Sequence, residues 1–216
     1  MKLTENELQQ LAKQLRCPDS NDGLQVAEMM NATNANIIDK TIASLQLQAG
    51  DSVLEIGPGN GIHIEDILKV NDVKYYGVDI SEAMVSECNS RFIDNSNVSV
   101  VHSDGNTIPF PGLSFTKVFT VNTIYFWENP ENYAIEIARV TKPGALLSIG
   151  YIPKRIMQNI PFAKYGFTLY SEDTVRDLLE NVGFSISNET TETELVTSNS
   201  GQRIEREFVI ITAVKK

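Results

Sequence analysis

Short apolar segments alternate with amphipathic segments through the middle of the chain. Runs rich in Val, Ile and Tyr predict buried β-strands, and the segments between them carry apolar residues at helical spacing. The predicted strands cover residues 52–56, 74–78, 98–102, 117–121 and 145–151. The predicted helices between them cover residues 63–70, 81–94 and 131–140. This alternation predicts an α/β fold, in which a mostly parallel sheet is covered by helices on both faces.

The two ends of the chain have a different pattern. Residues 1–48 predict two helices: the first presents a face of leucines and ends before Pro18, and the second lies around residues 37–45. Near the other end, Ser171 has the position of a helix N-cap. Two β-rich segments, residues 185–193 and 204–214, follow this helix. The polar residues 198–201 between them predict an antiparallel hairpin.

Composition bounds the function only loosely. The chain has 216 residues, enough for one domain with a substantial core. Its two cysteines, Cys17 and Cys88, lie far apart, and it has two histidines, so a disulfide framework and a His-rich metal site are not expected. No apolar run has the length of a membrane span, and the polar N-terminus does not resemble a signal peptide, so we expect a cytoplasmic protein.

The charge of the chain argues against a nucleic-acid substrate. The formal net charge is −10. Proteins that bind nucleic acid usually present a basic surface that displaces counterions from phosphates. We therefore expect no nucleic-acid partner.

One segment, VLEIGPGNG at positions 53–61, carries the main functional information. It joins a predicted strand to a turn with three glycines, and glycine lets a backbone approach a ligand closely. The next predicted strand is followed by Asp79, and a glycine turn with an acid at this distance predicts a nucleoside site. The usual dinucleotide fingerprint would place its third glycine at position 62, which is Ile62. A NAD-dependent dehydrogenase is therefore a poor candidate.

The pattern E-x-G-x-G-x-G of positions 55–61 resembles the first motif of class I S-adenosylmethionine (SAM)-dependent methyltransferases. Four further segments match this family in order: GVDIS, SDGNTIPF, VNTIYFW and ARVTKPGALLSIG. The resemblance covers about residues 30–185. Within the class, the chain is similar to the group that includes the ubiquinone- and menaquinone-biosynthesis methyltransferases.

This resemblance implies a Rossmann-like fold with a seven-stranded, mostly parallel sheet that ends in the antiparallel hairpin. The expected single domain, residues 1–216, has four parts. They are a helical N-terminal cap at residues 1–48, a SAM-binding core at 52–152, a substrate lid at 153–170, and a C-terminal helix and hairpin at 171–216.

The resemblance also implies roles for the residues around the glycine turn. The backbone of three glycines would lie against SAM: Gly57, Gly59 and Gly61. Glu55 would help to hold the methionyl amino group, or would cap the turn, and these two roles are compatible. Asp79 would accept hydrogen bonds from the ribose hydroxyls.

The resemblance also implies which residues surround the adenine of SAM, and these follow the second and third predicted strands. Ile80 and Met84 would flank the adenine, although a methionine on a helix is also an ordinary core residue. Asp104 matches the family residue that contacts the adenine amino group, with Gly105 permitting the turn. A turn without a ligand is the alternative for Asp104. His102 lies in an apolar strand, and we expect it to be a core histidine.

The segment after the fourth strand should border the transferred methyl group, because ligands bind outside the carboxyl ends of parallel strands. It is similar to the N-P-P-Y motif of amino-group methyltransferases, but both prolines are absent, so the amine-binding role is not carried over. Asn122 remains a candidate contact to cofactor or substrate. Tyr125, Trp127 and Tyr151 are candidates for the wall of a substrate pocket, and simple packing is the alternative for these aromatic residues.

Two more segments are candidates for the cover of the site. The long connector at 151–170 is typical of a lid, and its Lys154 and Arg155 are candidates for an anionic group or for simple solvation. Residues 29–34 are expected to fold over the cofactor, with Asn31 and Asn34 as candidate contacts.

The sequence thus predicts an enzyme that moves a methyl group from SAM to a small molecule by in-line displacement. Such a reaction needs orientation more than a catalytic triad, and no general base is evident. Two alternatives stay open: an amino-group methyltransferase acting on protein or nucleic acid, and a SAM-binding regulatory module without catalysis. No metal is expected.

Overall fold

A computed structural model describes residues 3–197 and 203–216 of the chain. The strands are β1 (Ser52–Ile56), β2 (Lys74–Asp79), β3 (Val98–His102), β4 (Phe115–Val121), β5 (Thr141–Tyr151), β6 (Phe184–Thr197) and β7 (Arg203–Lys215). The α-helices are α1 (Glu5–Arg16), α2 (Ser20–Ser44), α3 (Ile64–Ile67), α4 (Glu82–Arg91), α5 (Pro130–Val140), α6 (Lys154–Met157) and α7 (Glu172–Glu180). Two short 3₁₀ helices cover Ile124–Phe126 and Pro161–Lys164.

The seven strands form one sheet in the order β3-β2-β1-β4-β5-β7-β6. The first five are parallel to one another, and β7 is antiparallel to both β5 and β6. The strand order reverses between β1 and β4, and this is where open α/β sheets bind their ligands. The predicted Rossmann-like sheet with a C-terminal antiparallel hairpin is confirmed.

Two hydrophobic clusters pack on opposite faces of the sheet. Successive β1 residues alternate between them: Leu54 and Ile56 belong to the larger cluster, and Val53 belongs to the smaller one. Helix α5 contributes to the larger cluster through Ile137, and α3 contributes to the smaller cluster through Ile67. Burial on both faces explains why the parallel strands are nearly continuous apolar runs.

Helix starts follow local capping chemistry. Ser81 precedes α4, and its hydroxyl accepts a hydrogen bond from the Met84 N–H at 3.2 Å. Ser171 does the same for Thr174 at the start of α7, as the sequence predicts. Asn129 caps α5, and Pro130 occupies the first turn.

Several helix boundaries differ from the predicted ones. Helix α2 is 25 residues long and includes residues 29–34. Helix α3 is a single turn rather than the predicted helix at 63–70, and α4 ends at Arg91 rather than at residue 94.

Two strands begin earlier than predicted. Strand β5 begins at Thr141 rather than at residue 145 and contains Pro143 and Gly144, and β4 begins at Phe115 rather than at residue 117. The pairing register shifts between Phe115 and Lys117, and Gly144 has φ +78°. An irregular start of the ladder thus accommodates a proline that lacks a backbone donor.

The β6–β7 hairpin is longer than the sequence predicts, and the predicted turn at 198–201 lies outside the described residues. Strand β7 pairs with β5 only from Val209, opposite Tyr151, onward. Because β7 is antiparallel, its residues before Val209 extend beyond the carboxyl end of β5. This overhanging part of the hairpin contacts α2, where Asn36 Nδ2 donates to Glu194 Oε2 at 3.0 Å.

In the part of the chain that the structure describes, no helix has the length and apolar character to cross a membrane. The same residues contain no cluster of three His, Cys, Asp or Glu side chains that could hold a metal ion.

Candidate active site

A cavity of about 540 Å³ lies at the carboxyl ends of the parallel strands. This volume is in the range of small-molecule and cofactor sites. The loops after β1 to β5 form its floor, α1 and α2 cover it, and the connector after β5 closes one side. The predicted residues that line it are Glu55, Gly57, Gly59, Asp79, Ile80, Met84, Asp104, Gly105, Asn122, Tyr125 and Trp127.

Asp79 is the last residue of β2, and its side chain is 8% exposed. Its Oδ1 accepts a hydrogen bond from the Ser81 N–H at 2.9 Å, and its Oδ2 accepts one from the Gly59 N–H at 3.2 Å. Burial raises the pKa of this carboxyl to about 6, against the lowering effect of those backbone donors. Asp79 therefore joins the ends of β1 and β2 at the cavity wall.

The glycine turn has the left-handed backbone that its sequence predicts. Gly57 has φ +74° and Gly59 has φ +58°. A Cβ atom at Gly57 would overlap Cγ2 of Thr123, whereas a Cβ at Gly59 would meet no atom within 4 Å. The backbone at Gly59 is thus open to a ligand in the cavity.

Gly61 does not line the cavity, contrary to the prediction. A Cβ at this position would lie 2.6 Å from Sγ of Cys88 and 2.7 Å from Cδ1 of Ile64. Glycine is required here because α3 and α4 pack closely against the turn.

Glu55 forms a buried polar cluster beneath the turn. It is 2% exposed, and its Oε1 and Oε2 lie 3.0 and 2.8 Å from Nε2 of His63. The Tyr75 hydroxyl also donates to Oε2. Glu55 is therefore bound to neighbouring side chains, which matches the turn-capping role.

His63 was not predicted as a functional residue. Burial disfavours the charged imidazolium, but the facing Glu55 carboxylate outweighs burial and raises the pKa of His63 above its usual value. The only sequence signal was a histidine two residues after the glycine turn. Its partner Tyr75 is in a different strand, so spacing alone does not reveal the contact.

The adenine-end candidates lie together at the ends of β2 and β3. Met84 is fully buried, and Ile80 is covered by the connection between α1 and α2, where the Cys17 thiol donates to the Ile80 carbonyl at 3.6 Å. Ser81 Oγ donates to the Pro18 carbonyl in the same region. The N-terminal helices are thereby fixed above this part of the cavity.

Asp104 is exposed at the cavity edge, where it organises its own turn. Its Oδ1 accepts hydrogen bonds from the N–H groups of Asn106 and Thr107, each at 2.8 Å, and these bonds lower the pKa of the carboxyl. Gly105 has φ +76°, as the turn requires. His102 is also exposed and lines the cavity, so the expected core position of this histidine is wrong.

Asn122 and Tyr125 are joined to the end of β5. The Tyr125 hydroxyl lies 3.0 Å from Oδ1 of Asn122, and it accepts a hydrogen bond from the Ile152 N–H at 2.6 Å. Burial raises the pKa of Tyr125 well above its usual value. The hydroxyl is thus held within the protein, and the aromatic ring contributes to the wall.

Of the other two aromatic candidates, one lines the cavity. Trp127 is 6% exposed, and its Nε1 has no hydrogen-bond partner among the described residues. Tyr151 is fully buried and does not line the cavity, so its assignment to the pocket wall is wrong. Side chains alternate along a strand, and Ile152 occupies the wall instead.

The connector and the N-terminal cap supply much of the remaining wall. The apolar side chains from the connector are Met157, Ile160, Phe162 and Phe167. Asn31 and Asn34 line the cavity from α2. Arg155 does not line it, because its guanidinium pairs with Glu172 and Glu207. Arg206, from the overhanging hairpin, lines the cavity although no sequence signal indicated it.

Comparison with known proteins gives a consistent result. Residues 54–149 match the family described as a methyltransferase domain. A Bacillus subtilis protein named uncharacterized methyltransferase YdaC is 32% identical over 127 residues, which are 58% of this chain and 70% of that protein. The 27-O-demethylrifamycin SV methyltransferase of Amycolatopsis mediterranei is 29% identical over 124 residues. These are 56% of this chain, which spans only 46% of that relative's length.

A solved structure shares the fold. The SAM-dependent methyltransferase from Aquifex aeolicus superposes with a TM-score of 0.68 at 23% identity. The superposition covers 88% of this chain and 97% of that one. Most of the chain therefore shares the fold of that protein.

Proposed function

Because the chain belongs to the class I SAM-dependent methyltransferases, we propose that it transfers the methyl group of SAM to a small molecule held in the cavity at the carboxyl ends of β1 to β5. The observation that carries this proposal is the position of Asp79. Its buried carboxylate lies on the cavity wall, 3.2 Å from the N–H of Gly59 in the glycine turn. A carboxylate and an exposed backbone at adjoining strand ends fit a ribose and the chain attached to it.

The cavity wall also contains a polar atom that lacks a hydrogen-bond partner among the described residues, and a bound cofactor could supply that partner. Asn60 is 6% exposed and follows Gly59, and its Oδ1 has no hydrogen-bond partner among the described residues. A buried acceptor without a partner is costly, at about 1–3 kcal/mol. A donor on a bound ligand, such as an ammonium or a hydroxyl group, would remove this cost.

We assign the cofactor-binding residues on this basis. Asp79 accepts the ribose hydroxyls, and Gly57 and Gly59 present backbone to the methionyl chain. Ile80 and Met84 lie against the adenine, and the turn at Asp104 closes its edge. Glu55 acts through the turn: His63 and Tyr75 hold its carboxylate, and its burial favours a supporting role over direct contact with the methionyl end.

SAM supplies an electrophilic methyl group, so the protein has to position the acceptor in line with it and keep water out. Helices α1 and α2 cover the cavity, and apolar side chains of the connector close it from the side. Tyr125 is fixed by Asn122 and Ile152, so its ring is a rigid part of the wall. These features orient the acceptor without a dedicated proton-transfer group.

The lining of the cavity supports a small acceptor, because its wall is largely apolar and lies under α1 and α2. The net charge of −10 also disfavours nucleic acid. The rifamycin relative is named for methylation at an oxygen, and an oxygen acceptor is the form of the proposal that we favour for this chain.

Methyl transfer can be measured without knowledge of the natural substrate. The protein is incubated with SAM and a panel of small apolar alcohols, phenols, carboxylic acids and amines, and S-adenosylhomocysteine formation and methylated products are followed by mass spectrometry. We expect acceptor-dependent turnover that is lost in Asp79→Ala and kept in Asp94→Ala, which changes an exposed aspartate. Binding of S-adenosylhomocysteine without turnover on any acceptor would instead indicate a binding module.

A further inference from the structure

The overhanging part of the β6–β7 hairpin brings one buried cation to the cavity. Arg206 lies on β7 three residues before Val209, the first residue that pairs with β5. The strand therefore carries Arg206 beyond the carboxyl end of β5, to the side of the sheet where the cavity lies. Arg206 is 9% exposed and lines that cavity.

The guanidinium of Arg206 is held on one edge. Its Nε and Nη2 donate to Glu194 Oε1 at 2.9 and 2.6 Å. Nη2 also donates to the Thr33 carbonyl at 2.7 Å, on α2. These bonds fix the guanidinium plane between the β6–β7 hairpin and α2, the helix that covers the cavity.

The other edge of the same guanidinium is free. Among the described residues, Nη1 of Arg206 has no hydrogen-bond partner, so its two N–H groups are available to a ligand. Guanidinium donors form their strongest hydrogen bonds with anionic oxygens. Two other arginines of this protein each pair with two carboxylates: Arg155 with Glu172 and Glu207, and Arg176 with Asp173 and Glu189. Within the described residues, Arg206 pairs with one carboxylate, that of Glu194.

We propose that Arg206 is a specificity residue of the acceptor site, and that its free Nη1 edge binds an anionic oxygen, such as a carboxylate or phenolate, on an otherwise apolar acceptor molecule. This rests on the proposed function, because it assigns the substrate class of the same cavity. The apolar body would lie against Tyr125 and the connector side chains. Glu194 and Thr33 act as positioning groups that aim the guanidinium.

A second cavity arginine provides a matched control. Arg16 also lines the cavity. It also forms an ion pair with one carboxylate, in which its Nη2 lies 2.6 Å from Oε1 of Glu128. Its side chain is 43% exposed, so water already solvates its remaining donors. Loss of Arg16 should therefore leave the anion preference intact.

The test uses calorimetric titration of the full chain with three probes of equal length: octanoate, 1-octanol and octylamine. Each is titrated with and without saturating S-adenosylhomocysteine. We expect octanoate to bind at least about tenfold more tightly than either other probe. Arg206→Met should reduce that preference to about threefold or less, and Arg16→Met should keep it.

Arg206→Met alone leaves Glu194 as an unpaired buried charge, which destabilises the protein. The double variant Arg206→Met/Glu194→Met removes the pair together and is the folded comparison, checked by its affinity for S-adenosylhomocysteine. Equal binding of octanoate and octanol by the wild type, or an unchanged octanoate preference in the double variant, would overturn the assignment. Failure of S-adenosylhomocysteine to bind the wild type would count against the proposed function, and it is measured separately.

Discussion

The imidazole Nε2 of His63 lies 2.8 Å from the Glu55 carboxylate, directly beneath the glycine turn. Both side chains are almost fully buried, and the Tyr75 hydroxyl completes the cluster. A charged pair in this position couples the end of β1 to the segment that follows the turn. The shape of the cavity wall at the glycine turn therefore depends on this buried contact.

Loss of His63 should destabilise the fold. His63→Gln removes the cationic partner of a buried carboxylate, and such losses cost about 3–5 kcal/mol. Because the pKa of His63 is raised in the folded state, its contribution is fully present below its unfolded pKa and is lost as the pH rises through the folded value. Urea denaturation of wild type and variant should thus show a larger difference at about pH 6 than at about pH 9. A pH-independent difference would mean that His63 is neutral in the fold.

Removal of Asp79 should weaken cofactor binding strongly. In the proposed complex the Asp79 carboxylate accepts hydrogen bonds from the ribose hydroxyls, and a hydrogen bond to a charged group is worth about 1.5–3 kcal/mol. Asp79→Ala should therefore lower the affinity for S-adenosylhomocysteine by about tenfold to a hundredfold. Calorimetry measures this change, with Asp94→Ala as the control. An affinity within error of the wild type would remove Asp79 from the site.

The same residue predicts a pH dependence of binding. The pKa of Asp79 is raised to about 6, so the carboxylate becomes protonated below that pH and loses an acceptor. Affinity for S-adenosylhomocysteine should fall as the pH drops below that value, and should level off about tenfold to a hundredfold lower, when the carboxylate is fully protonated. The raised pKa also means that this group's effect on folding stability becomes less favourable as the pH rises from about 4 to about 6. Asp79→Asn should bind weakly at every pH, and a retained pH profile in this variant would assign the titration to another group.

A pair of glycine substitutions separates backbone strain from ligand contact. Gly59 and Gly144 have φ +58° and φ +78°, and a Cβ at either would meet no atom within 4 Å. Alanine at each should cost a similar 1–2 kcal/mol or so of stability. Only Gly59→Ala places a methyl group in the cavity wall, so only this variant should lose cofactor affinity. Thermal unfolding and calorimetry of both variants test this, and equal affinities would contradict close approach of the ligand at Gly59.

The parts of the fold that depend on local sequence were predictable. Each of these features is determined by residues that are close together in the sequence. They are the apolar runs of the parallel strands, the caps at Ser81 and Ser171, and the glycine turn. Most of the predicted cavity residues lie close together because they follow parallel strands, whose carboxyl ends lie at the same edge of the sheet.

The remainder depends on contacts that are distant in sequence. Arg206 and the Thr33 carbonyl are 173 residues apart, and nothing near either residue predicts their hydrogen bond. Tyr151 faces away from the cavity, whereas the next residue, Ile152, lines it, because neighbouring side chains of an extended segment point to opposite faces. Residues 29–34 lack an apolar period, so only their packing in α2 shows that they are helical.

A crystal structure of the complex with S-adenosylhomocysteine tests the central claim most directly. We predict the ribose hydroxyls within hydrogen-bonding distance of the Asp79 carboxylate, the adenine beside Ile80 and Met84, and the sulfur facing the side of the cavity that Tyr125 walls. Density for the ligand outside this cavity, or a ribose that does not contact Asp79, would contradict the account.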